Sequence, residues 1–470
     1  MCMCMWVWSG VGGCRSEPTE TALDTSTAGT GADTTAAPAS TGGSTSAGSA
    51  SSGGPDAESE ADTAGATDLG GGTEDGCGKY DAFALALAAA EPAGRAALTE
   101  AFVAAAMRSA HGLPIRCEGR LVALLHDTTG DAPALTGDFA DWDPRAHPMQ
   151  PVVDGHPLWV ADIAVDEPLV PSLYKFVHGD TFFADPWARR HGWDAFGEYS
   201  LTDAPEGVSH HERYLEFGDG AGALQPRTLV VYVPAGALAA GPLPVVYMHD
   251  GRNLFDPTAP FGGWRVGPAV DAAIAAGVLP PLLVVGIDNT AARVDEYTPT
   301  QDDIGQGPIG GRADEYVDFV ALGIKPFIDD HYPTRPGPAS TAVLGSSLGG
   351  LVSLYAAWRH PGVFGLVGSM SGTLGWGQIG LDGDRILELY DEAPPVGAWI
   401  YLDSGGAPPC PGGADNYCVN FEMRDDLVDL GWDEPGALVY VHAQGASHDE
   451  AAWAARMPGF LAALGAALEG

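Results

Sequence analysis

The chain of 470 residues contains only three lysines, Lys79, Lys175 and Lys325. Lysine and arginine together number 22 against 62 aspartates and glutamates, a formal charge of −40. A chain this acidic repels phosphate backbones and anionic headgroups, which argues against nucleic acid or an acidic membrane as a partner. Between Arg15 and Gly76 there is no aromatic residue, and Ser, Thr, Gly, Ala, Asp and Glu dominate. Such a stretch cannot bury enough apolar area to offset its ordering entropy, so it reads as a flexible tether. Zinc spacing is missing as well, because Cys410 and Cys418 have no nearby histidine partner. No metal or organic cofactor is expected.

What is present suits two or three folded domains, with 45% apolar residues to build their cores. The opening "MCMCMWVWSGVGGC" lacks a basic n-region, yet Val11-Gly12-Gly13-Cys14 resembles a bacterial lipoprotein signal with Cys14 as the lipidated residue. A degraded secretory signal is the other reading, and both imply an extracytoplasmic protein. Of seven cysteines, Cys2, Cys4 and Cys14 fall in this leader. The remaining four suggest the disulfides Cys77–Cys117 and Cys410–Cys418 in an exported body.

The periodicity changes along the chain. Residues 79–110 are alanine-rich with a Pro-Ala-Gly break, which predicts two short helices. Short β-patterned runs follow, "RLVALLHD", "APALTGDFADWDP", "LWVADIAV" and "LYKFVHGDTFFADPW", the pattern of a small sandwich. From about residue 225, apolar runs such as "LPVVYMHDG", "LLVVGIDN", "TAVLGSS" and "AWIYLDSG" alternate with helical segments at 266–279, 314–332, 348–359, 423–430 and 450–468. Strands that are apolar throughout and alternate with helices predict a mostly parallel sheet covered by helices on both faces. The expected organisation is a leader (1–14), a low-complexity linker (15–76), a helical segment (77–118), a β-sandwich (119–205) and an α/β domain (225–470).

Ser347 sits in "TAVLGSSLGGLVSLYAAW", in a G-x-S-x-G frame made by Gly345 and Gly349. Glycine is 65 of 470 residues, so the frame alone decides little. Its position does more: a strand precedes it and a helix follows, the context that forces a nucleophile into a tight turn near helical N–H groups. A serine hydroxyl needs a base, and the base needs an orienting carboxylate. His448 follows a late strand on a polar loop, "ALVYVHAQGASHDEAAW", whereas its competitor His442 lies within the strand. Asp403 at the end of "AWIYLD" and Asp415 in "CPGGADNYC" both stand where the acid belongs.

Two resemblances add to this. The run "LTGDFADWDPRAHPM … LWVADIAV … YKFVHGDTFFADP" resembles the early-set, immunoglobulin-like domain beside glycogen-branching enzymes. That resemblance implies glucan contacts from Trp142 and Lys175, with Phe182 roughly at a second aromatic position. Core packing of Trp142 and Trp159 is the competing reading. Residues 225–470 resemble the putative-esterase family of α/β-hydrolases through "VVYMHDGRNLFD", "FGGW", "VVGIDN … RVDEYTP", "GSSLGG", "YLDSGG … DNY" and "GASHDEAAW". The family includes enterochelin, feruloyl and acetylxylan esterases, S-formylglutathione hydrolases and mycolyltransferases. The resemblance implies Ser347 as nucleophile, His448 as base, Asp415 as acid with Asp403 in support, and an oxyanion hole from the amides of Leu348 and Arg252. The insertion "APPCPGGA" between the two aspartates departs from the family pattern.

The expectation is therefore an exported serine esterase acting through an acyl-enzyme, on feruloyl- or acetyl-type esters of a carbohydrate. A siderophore trilactone esterase or an acyltransferase would use the same residues. A carbohydrate-binding surface protein with an inactive hydrolase domain is the alternative of another class.

Overall fold

The structure is a computed structural model that describes residues 76–117, 119–165, 171–205, 207–410 and 414–469. The leader, Cys14 and the linker to residue 75 lie outside the described residues.

Two helices open the described chain, α1 (Gly76–Ala89) and α2 (Pro92–Arg108). The break falls where expected: Pro92 lacks an N–H that could continue α1, but its fixed φ suits the first position of α2. Cys77 on α1 is bonded to Cys117 on the short strand Ile115–Cys117, and Cys410 is bonded to Cys418. Both pairings expected from the cysteine count are present.

A four-stranded sheet contains Arg120–His126 paired antiparallel to Leu158–Ala164. Its inner face meets strands Ala134–Gly137 and Leu173–His178 over a core of Leu121, Ala123, Leu125, Leu135, Tyr174 and Phe176. This is the sandwich. Its second sheet does not stop at a domain boundary: strand His210–Phe217 pairs with Arg190–Asp194 on one side and with the first hydrolase strand on the other. One 14-stranded sheet therefore runs through both parts.

The hydrolase strands are β1 (Arg227–Val233), β2 (Val245–His249), β3 (Leu283–Ile287), β4 (Thr341–Ser346), β5 (Leu366–Met370), β6 (Trp399–Ser404) and β7 (Leu438–His442). Their order is β7-β6-β5-β4-β2-β3-β1, parallel except for β1 against β3. Alternation along β2 explains why this strand is buried along its whole length. Val245 and Tyr247 pack into a core on one face, and Val246 and Met248 pack into a second core on the other.

Helix α3 (Val266–Ala275) and the C-terminal helix (Glu450–Glu469) cover the second core. The first is covered by Ala313–Phe319 and Leu348–Arg359, among others. The segment expected as one helix over 314–332 is interrupted by a π-helical turn at Val320–Ile324. The helix expected from 423 begins at Tyr417. Its first turns carry Cys418 and a buried Asn420, whose Nδ2 donates to Gly372 O at 2.8 Å, and such polar buried positions hide a helix from an apolar pattern.

Candidate active site

The carboxyl ends of β2, β4, β5, β6 and β7 bring the expected residues to one edge of the sheet. Ser347 stands between β4 and helix Leu348–Arg359 with φ 55° and ψ −121°, a region that non-glycine residues adopt only when their surroundings force it. Two backbone bonds hold it there: Ser347 N–H donates to Met370 O at 3.0 Å, and its carbonyl accepts from Thr373 N at 3.0 Å. The flanking glycines differ in purpose. A Cβ on Gly345 would lie 2.6 Å from the Gly349 carbonyl carbon and oxygen, so this position admits no side chain. A Cβ on Gly349 would meet Asp250 Oδ2 at 3.4 Å and His249 Cβ at 3.5 Å, ordinary contact distances.

The same distances show that the turn after β2 lies against the start of the helix that Ser347 begins. That turn is held from two sides. Asp250, at φ 59°, receives Arg293 Nε at 2.6 Å and Nη2 at 2.8 Å. Next to it, His249 Nδ1 lies 2.7 Å from the Tyr316 hydroxyl, and burial pushes this histidine down to about 4, so it is neutral. Arg252 follows, with its guanidinium largely exposed and paired to Asp288 at 3.0 Å. Leu348 is the first residue of its helix, and the first amides of a helix have no intrahelical acceptor.

His448 Nδ1 and Asp415 Oδ1 are 2.7 Å apart. A carboxylate only accepts, so Nδ1 carries the proton and Nε2 is the nitrogen able to take another. The Trp453 ring stands edge-on to the imidazole, 5.1 Å between centroids. Asp415 Oδ2 is bonded by the Ser371 hydroxyl at 2.7 Å and by the Gly405 amide. Ser371 Oγ in turn accepts from Arg456 Nη2 at 2.7 Å and Trp453 Nε1 at 3.2 Å.

Asp403 is fully buried and is not in contact with the imidazole. Its side chain meets Arg456 Nε at 3.2 Å and the Tyr401 hydroxyl at 3.2 Å, and its carbonyl accepts from Ser371 N at 2.8 Å. Burial pushes its carboxyl up to about 7, against the opposing pull of Arg456. His442 is elsewhere too, with Nε2 on the Gly406 carbonyl at 3.1 Å. The hydroxyl of Ser347 bonds Thr373 Oγ1 at 3.1 Å.

Sequence reading missed Thr373, Asn416, Ser371 and Arg456. Only Asn416 and Arg456 had a signal, as the neighbour of Asp415 and as a cation two helical turns beyond His448.

In the sandwich, Lys175 is buried and its ammonium donates to Phe196 O at 2.8 Å. It lines an open cavity of about 490 Å³ with Phe182, Phe196, Asp185, Glu198 and Arg213. Trp142 is partly exposed and donates from Nε1 to Asp138 Oδ1 at 3.0 Å, so the two candidate glycan residues engage separate partners.

The family profile described as putative esterase matches residues 223–464. The chain is similar to the uncharacterized protein YbbA of Bacillus subtilis (strain 168), 30% identical over 158 residues, covering 31% of this chain and 57% of YbbA. It is 31% identical over 143 residues to a siderophore triacetylfusarinine C esterase of Aspergillus fumigatus, covering 30% of this chain and 47% of that protein. Against an iron(III) salmochelin esterase of Escherichia coli O6:H1 the identity is 32% over 190 residues, covering 38% of this chain and 42% of that protein. The chain thus spans about half the length of the curated relatives it matches.

Proposed function

Because the chain belongs to the putative esterase family, we propose that it is a serine carboxylic ester hydrolase with Ser347, His448 and Asp415 as its triad. One observation carries the reading: a serine on a strained strand-to-helix turn and a histidine hydrogen-bonded at 2.7 Å to a buried carboxylate share one sheet edge. His448 takes the Ser347 proton as Oγ attacks the ester carbonyl, and the amides of Leu348 and Arg252 receive the developing oxyanion. The alcohol leaves with the proton from His448, and water then repeats the sequence to free the acid.

For the substrate we favour acyl groups on a neutral carbohydrate. A charge of −40 and three lysines are a poor match for a strongly anionic ferric catecholate. A siderophore ester is the second reading, favoured by what two relatives are named for and by the exposed guanidinium of Arg252, whose own amide is the proposed oxyanion donor. Two disulfides support an oxidising, extracytoplasmic location, with Cys14 as the proposed anchor.

Fluorophosphonate labelling tests the chemistry, and a panel of p-nitrophenyl esters, acetylated xylan, methyl ferulate and ferric enterobactin tests the substrate. Ser347→Ala is expected to remain folded, to lose labelling and to lower kcat by at least ~10⁴-fold. A Ser347→Ala protein that keeps most of its activity would sink the assignment.

A further inference from the structure

Ser347 Oγ has a neighbour that the triad does not account for. Thr373 Oγ1 lies 3.1 Å from it, and Asn416 Nδ2 lies 3.3 Å from Thr373 Oγ1 on the other side. One end of this chain has a fixed direction. Asn416 Nδ2 also bonds Ser371 O at 2.9 Å, and a carbonyl only accepts, so that contact requires the NH₂ group there and fixes the amide's orientation. The same NH₂ therefore donates to Thr373 Oγ1. With one acceptor position of Thr373 filled by Asn416, its single proton is available to Ser347 Oγ, the hydroxyl 3.1 Å away on the other side. In the arrangement this allows, Ser347 accepts from Thr373 and keeps its own proton for the base.

The backbone places Asn416 for this purpose. Asp415 and Asn416 are consecutive non-glycine residues at φ 56°, in the left-handed region that Asp and Asn enter more readily than other side-chain-bearing residues and that tertiary contacts hold here. This double turn sends Asp415 to His448 Nδ1 and Asn416 to Thr373. One dipeptide thus reaches both ends of the site, the base through Asp415 and the nucleophile through Asn416 and Thr373.

We propose that Thr373 is a further catalytic residue, a hydrogen-bond donor to the nucleophile oxygen, and that Asn416 is the residue that positions it. The inference rests on the triad reading given above. In acylation the Ser347 O–H bond breaks, its proton passes to His448 Nε2, the Oγ–C bond forms, and the carbonyl π pair moves to the ester oxygen. Negative charge builds on Oγ as its proton departs. A fixed O–H donor stabilises that charge without having to reorganise. In deacylation Oγ is the leaving group, so the same bond assists as the Oγ–C bond breaks and His448 returns the proton. Thr373 keeps its own proton throughout.

The test compares Thr373→Val, Thr373→Ser, Asn416→Ala and the Thr373→Val/Asn416→Ala pair with wild type and Ser347→Ala, using p-nitrophenyl acetate hydrolysis and the rate of fluorophosphonate labelling. Thr373→Val should lower kcat and the labelling rate about 10- to 100-fold with KM nearly unchanged. Thr373→Ser keeps the donor and should stay within about threefold of wild type. Asn416→Ala should cost less, and should cost nothing further once Thr373 is valine. If valine perturbs the fold, as judged by the melting temperature, Thr373→Ala supplies the same reading without added bulk. A Thr373→Val enzyme with wild-type kcat and labelling rate, in a protein whose Ser347→Ala variant is dead, overturns this inference and leaves the triad standing. Activity retained in Ser347→Ala overturns the triad itself.

Discussion

Asp403 and Asp415 lie on either side of one guanidinium, with Arg456 Nε 3.2 Å from Asp403 Oδ1 and Arg456 Nη2 3.8 Å from Asp415 Oδ2. Two buried carboxylates this close would repel each other strongly without a shared cation. They are nonetheless unequal. Asp415 has one oxygen fixed by Ser371 and Gly405 and the other on His448 Nδ1, whereas Asp403 faces Arg456 and Tyr401.

This inequality predicts different outcomes for two isosteric changes. Asp415→Asn should stay folded and lose about 10³- to 10⁴-fold in kcat, because an amide favours the wrong histidine tautomer. Asp403→Asn should leave kcat within about tenfold of wild type in the folded fraction and act mainly on stability. Steady-state assays at saturating substrate, with thermal melts alongside, make the comparison. The reverse ranking would transfer the acid's role to Asp403.

Asp403 also sets a pH dependence of stability. Its carboxyl is pushed up to about 7, first by burial and further by the Asp415 charge, while Arg456 and the Tyr401 hydroxyl oppose the shift. In the unfolded chain it titrates near ~4. The folded state therefore holds the proton more tightly, and this group's contribution is greatest below about pH 4 and is lost as pH rises to about 7. The melting temperature of Asp403→Asn minus that of wild type should accordingly increase by several degrees from pH 5 to pH 8. A difference that stays flat or falls over that range contradicts the burial argument.

The bridge Cys410–Cys418 brackets Asp415 with a sequence separation of 8. If Asp415 is the acid, as proposed, the bridge acts on its placement as well as on global stability, because a triad acid tolerates little displacement. Replacing both cysteines by serine should lower kcat about tenfold or more, with KM changing less. Unchanged kcat in the double variant would show that Ser371 and Gly405 hold Asp415 without help.

Glycines within one motif should respond differently. Gly345→Ala places its Cβ 2.6 Å from Gly349 backbone atoms that cannot retreat without moving the helix, so loss of soluble protein or a drop of several kcal/mol (on the order of 3 or more) is expected. Gly349→Ala meets nothing closer than 3.4 Å and should change stability by less than about 1 kcal/mol. Urea titrations of the two proteins settle the point, and equal damage from both would count against the elbow geometry.

The sequence was most legible where one local pattern corresponds to one structure. The central strands β2, β3 and β4 are buried along their whole length because both of their faces are covered, and they are readable as runs rich in Val, Leu and Ile. Ser347 could be recognised because a strand, a glycine pair and a helix stand in order around it. The two disulfides followed from counting. Less legible was the segment His210–Phe217, which fell between the expected sandwich and hydrolase regions and turned out to be the strand that joins their sheets. Its mixture of His, Glu, Arg and Tyr carries no clean alternation, because polar side chains are buried inside the junction, some of them paired, as Glu212 is with Arg190 and Tyr332.

By itself the sequence determined the class of fold, the turn that carries Ser347 and the short set of histidines and aspartates from which a proposed base and acid could be drawn. Local backbone preferences and apolar periodicity act within a few residues and are written directly in the chain. Which aspartate meets His448, and that Ser371, Arg456, Thr373 and Asn416 stand around the proposed triad, was decided only by the tertiary structure. These contacts join residues 33 to 85 positions apart, and the Ser347–Thr373 contact spans 26. They depend on left-handed turns at Ser371, Asp415 and Asn416, which Asp and Asn enter more readily than other non-glycine residues but which only the surrounding contacts fix in place.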